Sequence, residues 1–104
     1  MIFTEENARD LLVRRAALIE DSIRLQDDTN GAFIADTTRE IFLNTESFYE
    51  VCEALRLDFK VCRRYPEGET GKYLFTSFAY IELFGKQYKL YCIYDLEEGE
   101  NQNE

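Results

Sequence analysis

A chain of 104 residues holds one domain and can bury a core without a metal or a disulfide staple. Twenty-one Asp and Glu against twelve Lys and Arg leave a formal charge of −9, and histidine is absent. Ser-His-Asp and Cys-His catalysis, and histidine metal ligation, are thereby excluded.

Thr4 reads as the cap of a first helix, with Glu5 and Glu6 in the first turn where acids complement the helix dipole. Ala8, Leu11, Leu12, Ala16, Ile19 and Ile23 follow the helical period, and Leu18 and Leu25 widen the apolar stripe. Glu6, Asp10, Glu20, Asp21 and Arg24 fall on the opposite side. Arg15 falls within the apolar arc, where its stem packs and its head reaches water or a carboxylate. Asp27-Asp28-Thr29-Asn30-Gly31 ends the helix as a polar turn. It is no calcium loop, because Gly comes fifth rather than sixth and the twelfth position is Thr38 rather than Glu.

Residues 32–38 carry no decisive pattern. Residues 39–44, centred on Ile41-Phe42-Leu43, read as a short strand. Thr45 is the expected cap of a second helix over 46–57, with Phe48, Val51, Cys52 and Leu55 on one stripe. Residues 59–65 alternate as a strand, with Phe59, Val61 and Arg63 on one face and Lys60, Cys62 and Arg64 on the other. Residues 66–71 read as a hairpin loop. A long strand over 73–83, a turn at Phe84-Gly85-Lys86 and a returning strand over 87–96 complete the pattern. The expectation is a single α+β domain over 1–96, in the order α–β–α–β–β–β, and an acidic disordered tail over 97–104. An antiparallel sheet of three to four strands packs against one or two helices, its last three strands forming a meander.

No catalytic or cofactor motif is present. Gly68-Glu69-Thr70-Gly71-Lys72 has glycines and a lysine, but its acids would repel a phosphate. Glu50 with Glu53, and Glu67 with Glu69, are carboxylate pairs of a kind that solvated surfaces carry routinely. The expectation is therefore no enzyme, no cofactor and no metal. Cys52, Cys62 and Cys92 are scattered, without a Cys-x-x-Cys, which fits a reduced, cytoplasmic setting. The first residues lack the basic and apolar regions of a signal peptide, and no apolar run nears the ~20 residues of a membrane span.

The charge is segregated. Residues 1–55 hold twelve acids and five bases, residues 56–94 hold seven bases and four acids, and residues 95–104 hold five acids. Two signs on one surface suit selection of a charged partner. An acidic contact face would use Glu6, Asp10, Glu20 and Asp21 against a protein with a basic surface. Alternatively, one face of the meander holds Tyr73, Phe75, Ile81, Leu83, Leu90 and Cys92 as core. The other then shows Lys60, Arg64, Thr76, Phe78, Tyr80, Lys89, Tyr91 and Ile93. Within that face Lys60, Arg64, Tyr80, Lys89 and Tyr91 would stack bases and meet phosphates of a nucleic acid. As a third alternative, a homodimer covers the face with its own copy.

In size and acidity the chain resembles the small anti-CRISPR and related inhibitor proteins of phages. The resemblance implies an inhibitor that engages a basic, nucleic-acid-binding protein. It lies in composition, and no functional residue is carried over from it.

Overall fold

The computed structural model describes residues 2–34, 37–64 and 72–97. Helix α1 (Glu5–Asp28) is followed by β1 (Glu40–Phe42), α2 (Thr45–Leu55), β2 (Lys60–Arg64), β3 (Lys72–Leu83) and β4 (Lys86–Glu97). The fold is α+β, in the expected element order. The expected hairpin loop over 66–71 lies outside the described residues, as does the expected tail over 97–104 apart from Glu97, which ends β4.

Thr4 caps α1 in a reciprocal box: its hydroxyl accepts the Asn7 N–H, and the Asn7 amide oxygen accepts the Thr4 N–H at 2.9 Å. Asn30 (φ 53°) and Gly31 (φ 80°) end the helix as a left-handed turn, and the Gly31 N–H closes on the Gln26 carbonyl at 2.8 Å. In α2 the cap is Asn44, one residue earlier than expected; its side chain accepts the Ser47 N–H at 2.8 Å. Asn and Thr both cap well, so local sequence alone does not separate them. The helix closes two residues early because Arg56 turns left-handed (φ 55°) and sends Leu57 back towards the core.

The four strands form one sheet in the order β1-β4-β3-β2. β2, β3 and β4 make the expected antiparallel meander. β1 corrects the antiparallel expectation: it runs parallel to β4, pairing Glu40 with Lys89 and Phe42 with Tyr91. The reason is the β1–α2–β2 crossover. A helix between two strands returns the chain in the same direction, and the meander then makes β2, β4 and β1 co-directional.

Both helices lie on one face of the sheet. Ala8, Leu12, Ala16 and Ile19 of α1, with Phe48, Val51, Cys52 and Leu55 of α2, meet Ile41, Ala79, Ile81, Leu83, Tyr88, Leu90 and Cys92 in one apolar cluster. Ile81, Leu83, Leu90 and Cys92 are therefore core, as expected, and Phe75 is half-buried. The Tyr73 side chain lies outside the described residues. Leu18 and Leu25, expected on the apolar stripe, are exposed because α1 buries only a narrow arc.

Candidate functional site: the open face of the sheet

With both helices on one side, alternation along each strand sends every second side chain to a face that no described element covers. Its middle is a row across all four strands. Register aligns Phe42 with Tyr91, Tyr91 with Phe78 and Phe78 with Lys60. The next row holds Glu40, Lys89 and Tyr80. Thr76 aligns with Ile93 on the other side.

The rings form two pairs bridged by a lysine. Phe42 and Tyr91 have centroids 5.0 Å apart, and Phe78 meets Tyr80 edge-on at 5.9 Å. Lys89 lies among them, its Nζ 5.1 Å from the Phe78 centroid and 5.8 Å from that of Tyr91. Phe42, Tyr80 and Ile93 are 60%, 49% and 48% exposed. These three lie on one face of the sheet, while the other exposed large hydrophobics, among them Ile2, Leu18, Phe33 and Ile34, lie outside the sheet or at its margins.

Lys60, Tyr80, Lys89 and Tyr91 are thus brought together on this face. Arg64 aligns with Leu74 at its far end, and its side chain lies outside the described residues. The face is less basic than the run 56–94 implies, because Glu40 and Glu82 share it with the lysines. Sequence reasoning missed Phe42. The run Ile41-Phe42-Leu43 is uniformly apolar, so its alternation shows only once Ile41 is seen buried and Phe42 exposed.

The acidic residues of α1 separate. Glu6 and Asp10 are exposed one turn apart, beside Glu5 and Arg9. Asp21 is exposed eleven residues further on and ion-paired to Arg24. Glu20 is a correction: it stands at the edge of the buried arc, not opposite it. By the ~100° helical step it lies only ~40° from Ala16. Its carboxylate accepts Arg39 Nε and Nη2 at 2.8 and 3.1 Å, accepts the Tyr88 hydroxyl, and lies 3.6 Å from Lys86 Nζ. These bonds, that from Arg39 foremost, hold the Glu20 pKa down at about 2. Burial, with the Glu20 carboxylate, raises that of Tyr88.

A second polar cluster sits in the helix–sheet layer. The Tyr49 hydroxyl is 2.5 Å from that of fully buried Ser77 and 3.4 Å from that of Tyr94. Burial pushes Tyr49 up to about 12 and the Cys52 thiol up to about 11. A groove of about 320 Å³ between α1, β1 and α2 is lined by Phe3, Leu11, Leu12, Ile41 and Val51, with Arg15 at its rim. Among the described residues no three Cys, Asp or Glu side chains cluster as metal ligands, and no helix is long and apolar enough to cross a membrane. No family model, curated protein or solved structure matches the chain.

Proposed function

We propose that this chain is a non-enzymatic binding protein, that the open face of its sheet is the contact surface, and that it binds another protein surface. The observation that carries the reading is the uncovered row Phe42–Tyr91–Phe78–Lys60 flanked by Tyr80, Lys89 and Ile93. An aromatic centre with a charged margin is the composition of a protein-interface core. The groups with displaced pKa values, Glu20, Arg39, Tyr49, Cys52 and Tyr88, all lie on the helix side of the sheet, where they serve packing.

Nucleic acid fits this face less well. Phosphate binding needs a basic surplus, whereas Glu40 and Glu82 offset Lys60 and Lys89 in a chain of net charge −9. Inhibition of a basic protein through α1 asks for a strong acidic field. Arg9, Arg14, Arg15 and Arg24 are exposed on that helix and dilute it, and Glu20 is withdrawn into its ion pairs.

Affinity capture tests the reading with three baits: the native chain, a Phe42→Lys/Tyr80→Lys pair and a Glu6→Lys/Asp10→Lys pair. A protein held by the native chain is expected to be lost with the sheet-face pair and kept with the α1 pair. Loss with the α1 pair alone would overturn the assignment. So would a low-salt shift of single-stranded RNA that Tyr80→Ala and Tyr91→Ala abolish.

A further inference from the structure

We infer that the protein surface bound by the open face is a second copy of this chain, the two sheets packing face to face with a two-fold axis along the strands. The inference rests on the reading just given. It follows from the strand order and register. In the order β1-β4-β3-β2, a two-fold along the strands lays β1 over the partner copy's β2 and β4 over its β3. Aligned sheets pack this way ~10 Å apart, at ~30° between strand directions.

Residues at the middle of two rows then meet groups of complementary kind. In the central row Lys60 falls over Phe42 of the other copy, and Phe78 falls over Tyr91. In the next row Tyr80 falls over Lys89. Glu40 stands one row from the position of Lys60, so each Lys60 meets both an aromatic ring and a carboxylate. A polyanion would leave Glu40 and Glu82 facing like charge, whereas a second copy brings Lys60 within one row of Glu40.

Size is adequate. Two twelve-residue strands, flanked by strands of three and five, present a projected area of about 500 Å² at ~3.3 Å rise and ~4.8 Å spacing. Corrugation by the rings brings this towards the ~800 Å² that each partner buries in a standard interface. The −9 charge of each copy is no obstacle. The α1 helices lie on the outer sides, about 30 Å apart across two sheets and two helix layers, well beyond a Debye length of ~8 Å.

Sedimentation equilibrium of the full chain, from micromolar to submillimolar concentration, tests this with Phe42→Lys and Phe42→Glu. Phe42 is exposed, so neither change touches the core, and circular dichroism checks the fold. The native chain is expected to dimerise, and added salt is expected to leave the dimer as tight or tighter. Phe42→Lys sets an ammonium against the partner copy's Lys60 and is expected to weaken dimerisation by about 30-fold or more. Phe42→Glu removes the same ring but faces Lys60 with an acid, and is expected to stay within about tenfold of native. Tyr80→Lys, opposite Lys89, serves as the second disrupting variant. A native chain that stays monomeric overturns the inference, as does a dimer that all three variants leave intact or weaken equally. A monomer whose captured partner is still lost on Phe42→Lys overturns the second copy alone and leaves the sheet-face reading standing.

Discussion

Adjacent residues on β3 offer a direct contrast between the two faces of the sheet. Ile81 points into the helix layer, is 7% exposed and pairs across the strand with fully buried Tyr88. Ile81→Ala removes three buried carbons, worth about 2.4 kcal/mol at ~0.8 kcal/mol each, and leaves a cavity that raises the cost to about 3–4 kcal/mol. In a domain of this size that lowers Tm by roughly 12–30 °C. Tyr80 points the other way and is 49% exposed. Tyr80→Ala in the monomer loses an edge contact to Phe78 and some strand propensity, about 1 kcal/mol or less. Urea melts followed by circular dichroism, at the lowest workable concentration, measure both. Equal costs, or a larger one for Tyr80→Ala, would refute the assignment of both helices to one face. At high concentration mass action stabilises a native dimer further, so the gap between native and Tyr80→Ala is expected to widen with concentration.

Glu20 sets an acid limb on stability. Its folded pKa of about 2 lies below its ordinary 4.5, so its contribution is full above the ordinary value and fades as pH falls from there towards 2. Glu20→Gln is expected to flatten the stability profile over that window, and an unchanged profile would contradict the network. Tyr49→Phe strands the buried Ser77 hydroxyl and is expected to cost about 1–2 kcal/mol. Adding Ser77→Ala should then cost little more in a double-mutant cycle, because the unpaired group is gone. Cys62 is exposed while Cys52 and Cys92 are buried. A thiol reagent on the native monomer is expected to label one cysteine quickly and the other two only after denaturant, and three fast equivalents would contradict the core.

Period and alternation carried most of the fold. The apolar spacing of α1 and α2 and the two-residue alternation of β3 and β4 are local signals, and they placed Ile81, Leu83, Leu90, Cys92, Tyr80, Lys89 and Tyr91 on their correct faces. What was not legible depends on contacts distant in sequence. The direction of β1 is set by the crossover through α2 and by pairing with residues nearly fifty positions later. Glu20 reads as a surface acid until Arg39, just before β1, and Tyr88 of β4 close on it. Phe42 joins the open face only because β1 docks beside Tyr91.

The most direct measurement is an isotope-filtered nuclear Overhauser experiment on a mixed sample of labelled and unlabelled full-length chain. Contacts between copies are expected from Lys60 to the Phe42 ring and from the Phe78 ring to Tyr91, with none to the outward side of α1. Intermolecular contacts confined to α1, or none at concentrations where the native chain sediments as a dimer, would contradict the open sheet face as the contact surface.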